Sequence, residues 1–256
     1  MFEQLSNSTR ARSAALLVAI NGGLGRILIY WIVIAGLAAA ARISFAPHPI
    51  TVANGTLVSY ALLILSPVAS TLLALRWFAD GDRLEQPLTR LAQIGSWQKV
   101  TSREAKRHPL YGAGGIMVSL LVGMMLNVPV RAAEYLAAMP PLPSVTPSWL
   151  SALHFAMTLD VVLFGSLYMI AFVAALRRVP LFPRLLLAIW LGDLAMQLFT
   201  AHLVTSAGGL PTGVASALHS LLEGNVKKVL ISMALWLPYL LLSTRVNITY
   251  RHRLPA

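Results

Sequence analysis

An all-α, polytopic transmembrane helical bundle of six spans is the fold this sequence predicts, and three observations predict it. Of 256 residues, 57% are hydrophobic and only 11% charged, whereas soluble domains run near ~25% charged. The mean hydropathy of +0.71 agrees. Apolar stretches near the ~20 residues that cross a bilayer recur along the chain, and six can be counted. These runs are continuous, without the period-two alternation of a lipid-facing strand, so they read as helices rather than barrel strands.

The first span runs from Leu24 to Ala41, after Arg10 and Arg12. Arginines before an apolar run also suit a signal peptide, but no small-residue cleavage site follows and Arg26 interrupts the run, so an uncleaved span is expected. The second span covers Val52 to Leu75. Arg76 to Pro109 is then the only long polar stretch, with Asp80, Asp82, Glu85 and Glu104 among its bases. Within it Pro87 to Ile94 suits a short amphipathic helix on the membrane surface, with proline at its first position. This loop divides the chain into a two-helix segment (1–76), a basic loop (77–109) and a four-helix domain (110–251).

The third span is Gly114 to Leu136, the fourth Leu150 to Leu176 and the fifth Leu185 to Leu203. The sixth, Val229 to Leu242, is short and continues a helix that starts near Pro211. Gly22-Gly-Leu-Gly25 is expected to open the first span much as Gly112-Ala-Gly-Gly115 opens the third. Such clusters are common where membrane helices begin or pack closely. With no lysine-serine or lysine-threonine after them, they do not read as phosphate loops.

Basic residues orient the chain. Arg10 and Arg12 precede the first span; Arg76, Arg83, Arg90, Lys99, Arg103, Lys106 and Arg107 separate the second and third; Arg177, Arg178 and Arg184 separate the fourth and fifth; Arg245, Arg251 and Arg253 follow the sixth. The alternate connections are poor in them, with Arg42 alone in one and no charge from Ala137 to Trp149. By the positive-inside rule both termini are cytoplasmic. Reporter fusions after Arg107, Arg178 and Tyr250 should therefore report cytoplasm and one near Pro143 periplasm. Cytoplasmic signal from the Pro143 fusion would sink the six-span topology.

The formal charge of +11 and pI near 10.7 would suggest nucleic acid in a soluble protein. Here the bases sit at span ends, where they hold topology and attract anionic headgroups. The expected partners are membrane lipids and an integral-membrane protein, not nucleic acid; oligomeric state is not legible. Cysteine is absent, which removes disulfides, a thiol nucleophile and cysteine metal sites. No cofactor or metal is expected.

From about Lys106 to Arg251 the chain resembles the bacterial domain-of-unknown-function family 2569, four-helix inner-membrane proteins. The marks are Gly112-Ala-Gly-Gly115, the basic turn Arg177-Arg-Val-Pro-Leu-Phe-Pro-Arg184, and Trp236-Leu-Pro-Tyr239 followed by Ser243-Thr-Arg-Val-Asn-Ile-Thr-Tyr250. Ile116 stands where that family usually has tryptophan, and Asn247 where it has a basic residue. The resemblance implies a four-helix bundle in a bacterial inner membrane and carries no catalytic residues.

Ionisable groups inside spans are expensive, so they mark candidate sites. They are Arg131, Glu134, Asp160, Asp193, His202, Glu223, Lys227 and Lys228. Counted at ~1.5 Å per residue from the basic ends, Arg131 and Asp160 both lie at ~25 Å, Lys227 and Lys228 at ~26 Å and His202 at ~27 Å. Arg131, Asp160 and at least one of Lys227 and Lys228 should therefore meet, with Glu134 just above. Pairing removes much of the cost of a buried charge, so replacing Asp160 alone should lower stability in detergent more than replacing Arg131 and Asp160 together. The cluster is either an ion pair that fixes packing or an outward-facing cavity for an ion, headgroup or small solute.

Asp193, at only ~13 Å, has no cation at its depth and is expected to be neutral, as a hydrogen-bonding acid or a proton relay. Gln197, one turn on, extends the same polar seam. His219 and Glu223 have metal-ligand spacing but no third ligand. Ser166 and Ser220 lack a nucleophile elbow, and no HExxH motif occurs. The chain thus reads as a non-enzymatic membrane accessory or scaffold protein, with a small transporter or channel-like protein as the alternative. Any transport would be gradient-driven or depend on a separate energy-coupling subunit, since no ATP-binding motif occurs.

Overall fold

The structure, a computed structural model, describes residues 2–46, 55–87, 94–143 and 145–256, with side chains from residue 12 onward. Its helices are α1 (Phe2–Ser44), α2 (Thr56–Trp77), α3 (Ser102–Arg107), α4 (Met117–Ala138), α5 (Ser148–Leu176), α6 (Phe182–Ser206), α7 (Thr212–Leu242) and α8 (Thr244–Arg251). Two three-residue strands, β1 (Trp97–Lys99) and β2 (Arg253–Pro255), complete the described elements. Six of the helices, α1, α2 and α4 to α7, are long and apolar enough to cross a membrane. The amphipathic helix expected over Pro87 to Ile94 falls largely outside the described residues.

Each expected span has its helix, with one correction. The first helix does not open at Gly22-Gly-Leu-Gly25 but runs through it from Phe2. Hydropathy sees only the part that prefers lipid, whereas the helix continues as far as nothing breaks it, and no proline precedes Pro47. Gly112 and Gly115 behave differently. Both have positive φ, 107° and 66°, which glycine adopts without a Cβ penalty, and they turn the chain into α4.

α5 is the central helix. It packs against α2, α4 and α6, and 67% of its most apolar window is buried, against 11% for α7. Ala156, Ala171, Ala174 and Ala175 are almost wholly buried along it, small residues that let neighbouring helices approach. The core is shared: Ile20, Leu24 and Ala74 of the N-terminal pair pack in one cluster with side chains of α4 to α8. Tyr60 and Leu63 of α2 join Tyr135, Leu153 and Val204 in a second.

The basic turn after α5 closes that helix tightly. The Arg178 N–H donates to the Ala175 carbonyl (3.1 Å) and the Val179 N–H to that of Ala174 (2.9 Å), the pair of bonds of a Schellman cap. Arg178 holds the left-handed position (φ 58°) usually given to glycine, and its guanidinium lies over the Tyr111 ring at 5.4 Å. Pro180 follows, and a second proline, Pro183, sits in the first turn of α6, where a missing N–H costs nothing. The loop after α2 presses onto this turn: a Cβ on Gly81 would lie 2.7 Å from the Arg177 carbonyl oxygen.

One end of the bundle collects the basic segments. The Gly115 N–H donates to Ser13 Oγ (3.2 Å), tying α1 to the entry of α4. Arg245 Nη1 donates to the carbonyls of Leu110 (3.1 Å) and Gly112 (3.4 Å). β1 and β2 pair antiparallel, Trp97 opposite Pro255 and Lys99 opposite Arg253. At the other end Arg42 donates to the Met139 carbonyl (3.1 Å) and the Leu142 N–H donates to Thr56 Oγ1 (3.1 Å).

The ribbon carries a pH-sensitive joint. The Val100 N–H donates to the His252 carbonyl at 3.0 Å, and the half-buried His252 ring meets Gln86 Nε2 at 3.5 Å. Burial, reinforced by Lys106 and opposed by Asp82, holds the imidazole below its ordinary value. A base depressed on folding contributes full stability above its unfolded value, ~6.5, and loses it as pH falls through the lower folded value. As pH falls below the unfolded value of ~6.5, exchange of the Val100 amide, corrected for intrinsic rate, should therefore accelerate, and His252→Gln should abolish that acceleration. Unchanged acceleration in the variant would assign it elsewhere.

Candidate functional site

The polar residues within the spans converge on Arg131. Its Nη1 donates to Asp160 Oδ2 and its Nη2 to Asp193 Oδ2, both at 2.6 Å, so one guanidinium bridges α5 and α6 from α4. Asp193 is wholly buried, and Arg131 keeps 11% of its side chain exposed. Tyr168 donates its hydroxyl to Asp193 Oδ2 at 3.2 Å. Gln197 Nε2 donates to Asp193 Oδ1 (3.2 Å) and Asp160 Oδ1 (3.4 Å), while its own Oε1 accepts from Asn225 of α7 (3.3 Å). The Arg131 Nε donates to Asn127 Oδ1 (3.3 Å), and the guanidinium stands 5.1 Å from the centroid of Phe164. Four helices thus meet in one hydrogen-bonded network.

Asp193 is the main correction to the sequence reading, which left it without a cation. Counted from its actual first residue, Met117, α4 places Arg131 at about 21 Å, and α6, starting at Phe182, places Asp193 at about 16 Å. The gap shrinks because both helices start away from the span limits used for counting. The long arginine stem covers the rest by reaching inward along an apolar wall.

The remaining candidates divide. Lys228 pairs with Glu134, three residues beyond Arg131 on α4, and also reaches Asn225 Oδ1 at 3.4 Å. Lys227 turns away and pairs with Glu223 (2.6 Å) on the exposed flank of α7, so Glu223 is engaged by a lysine rather than by His219. His202 is exposed on α6 and outside the network. Among the described residues, no group of three or more histidine, aspartate or glutamate side chains could hold a metal ion.

Of the network's neutral members only Gln197 was found from sequence, and Asn127, Tyr168 and Asn225 escaped a search that started from ionisable groups. Asn127 lies four residues before Arg131 and Asn225 three before Lys228, so helical spacing alone could have paired them. A second polar knot, absent from the sequence candidates, joins α2, α4 and α5 near the other end. There the His154 Nε2 meets Ser59 Oγ (3.3 Å) and the Tyr135 hydroxyl (3.4 Å), and that hydroxyl meets Thr158 Oγ1 (2.9 Å).

Two spaces flank the network. Between α4 and α7 a polar cleft of about 50 Å³ is lined by Asn127, Arg131, Glu134, Tyr168, Asn225 and Lys228, room for about three or four waters. Between α5 and α6 lies an apolar groove of about 440 Å³ whose lining includes Ala188, Gly192 and Ala195 beside larger apolar side chains. Comparison of the chain with family models, with curated proteins and with solved structures finds no match in any of the three.

Proposed function

We propose that the chain is a non-enzymatic accessory or scaffold protein of a bacterial inner membrane, both termini cytoplasmic, that holds a membrane partner or lipid against its helices. The observation that carries this reading is the closure of the Arg131 network: the guanidinium, both aspartates and Gln197 are spent on one another across α4, α5, α6 and α7. A solute carrier needs groups free to exchange partners and a pocket of some hundreds of Å³. The polar cleft beside this network holds about 50 Å³. The α5–α6 groove includes Ala188 and Gly192, one turn apart, in its lining, and such small residues let a partner helix approach closely. The resemblance of residues 106–251 to family 2569 belongs to this reading, and of its three marks the ending at Trp236 to Tyr250 is the most specific.

One observation favours the transporter or channel-like alternative. Arg131 faces two carboxylates, so the cluster balances its charge only with one further proton or cation, and the polar cleft beside it has room for water. The decisive experiment compares wild type with Asp193→Asn and Gly192→Leu. The scaffold reading expects a specific membrane protein to co-purify in mild detergent with wild type and Asp193→Asn, and to be lost in Gly192→Leu, whose added side chain fills the groove. Proton or solute flux in proteoliposomes that vanishes in Asp193→Asn would overturn it.

A further inference from the structure

An arginine stands unpaired halfway along α1. Two bonds fix the level of that helix in the bundle. The Gly115 N–H donates to Ser13 Oγ at the basic end (3.2 Å), and Arg42 Nη2 donates to the Met139 carbonyl at the other (3.1 Å). At ~1.5 Å per residue Arg26 lies about 20 Å from Ser13 and about 24 Å from Arg42, at mid-depth. Arg26 is exposed on the outside of the bundle. Among the described residues no ion pair or hydrogen bond engages it. Its guanidinium lies back toward Gly23, Nη2 standing 4.0 Å from where a Cβ on that glycine would be. That is one turn nearer the basic end and still about 15 Å short of it, out of reach of a headgroup.

Charged side chains at this depth are costly, and in membrane proteins they almost always face a partner or a wet cavity. Arg26 has neither, but the surface around it suits a helix. Ala15, Ala19, Gly22, Ile29 and Val33 share one exposed seam with it, at alternating steps of four and three residues. That spacing keeps a seam against a neighbouring helix, and small residues let the two backbones approach. Only 17% of the most apolar window of α1 is buried, and a Cβ on Gly22 would meet nothing within 4 Å. We propose that this seam docks a transmembrane helix of another protein, one that presents an aspartate or glutamate at mid-membrane to Arg26. A second copy of the chain does not supply that group. Two-fold pairing of the seam would set Arg26 against Arg26, and the chain's own carboxylates within the spans are engaged. Asp160 and Asp193 are on Arg131, Glu134 is on Lys228 and Glu223 is on Lys227. Such a partner deepens the scaffold reading, on which it rests, by giving the bound helix a required chemistry.

The test reconstitutes the full chain in phosphatidylcholine vesicles with synthetic leucine-alanine host helices of bilayer length. Each host carries aspartate, leucine or lysine at its centre, and binding is read by energy transfer between labelled protein and labelled helix. The aspartate host should bind at least about tenfold more tightly than the leucine host. Arg26→Leu should erase that preference, and Arg12→Gln, at the basic end of the same helix, should keep it. Arg26→Glu should transfer the preference to the lysine host, a gain that misfolding cannot produce. Equal binding of the aspartate and leucine hosts, or an unchanged preference in Arg26→Leu, overturns the proposal. Protein that pairs with itself in the absence of host, and ceases to in Arg26→Leu, assigns the seam to a second copy and overturns the partner named here. A preference abolished by adding phosphatidylglycerol to the vesicles gives Arg26 to a lipid headgroup and overturns it as well. Equal binding of the hosts with partner co-purification intact sinks this seam alone, whereas an intact preference in a protein that moves solute sinks the scaffold reading alone.

Discussion

Replacing Arg131 by alanine is expected to lower stability in detergent by about 3–5 kcal/mol, the usual cost of stripping one partner from a buried ion pair. The size follows from what remains: Asp160 and Asp193, both buried, would face each other with only Gln197 and Tyr168 as donors. A thermal midpoint measured in a fixed detergent checks it. Replacing all three charges together, as Arg131→Leu with Asp160→Asn and Asp193→Asn, should recover most of the loss, because uncharged groups carry no comparable desolvation penalty. A single alanine variant within about 1 kcal/mol of wild type would mean that water reaches the cluster freely, contrary to its burial.

The second large effect reverses an expectation drawn from helix counting. Were Asp160 the sole partner of Arg131, removing both would hurt less than removing Asp160. With Asp193 also on the guanidinium, Asp160→Ala leaves a balanced Arg131–Asp193 pair and should cost about 1.5–3 kcal/mol, the range for a hydrogen bond to a charged group. The Arg131→Ala/Asp160→Ala variant strands Asp193 and should be the less stable of the two. Midpoints in the opposite order would show that Asp193 does not depend on Arg131.

Why the sequence revealed Asp160 but hid the cation on Asp193 is a matter of geometry. Residue counts measure distance along an axis from an assumed start, while an arginine delivers its charge far from its own Cα. The spans were legible because apolar runs of bilayer length have few other uses in a chain this poor in charge. The amino-terminal extension of α1 was not, since polar residues such as Ser6, Asn7 and Ser8 lower hydropathy without breaking a helix. The β1–β2 ribbon left no trace either: three residues are too few to show alternation, and their partners lie more than 150 positions away.

The closing corner shows how a recognisable string can be visible before its meaning is. Ser243 to Tyr250 stood out as wording, yet nothing in it said that Asn247 would cap the end of α7 through Leu241 and Ser243 while gathering Arg251 and Arg253. Side-chain amides have this double use because they carry donors and an acceptor on one plane.

The ribbon also sets an order of events during synthesis. β1 precedes the last four spans and β2 follows them, so β1 emerges from the ribosome long before the strand it pairs with. At elongation speeds of about 5–20 residues per second, Trp97 to Lys99 wait roughly 8–30 seconds for Arg253 to Pro255. During that interval α4 to α7 enter the bilayer with their base still open, and the ribbon latches only after the helices it encloses have been delivered.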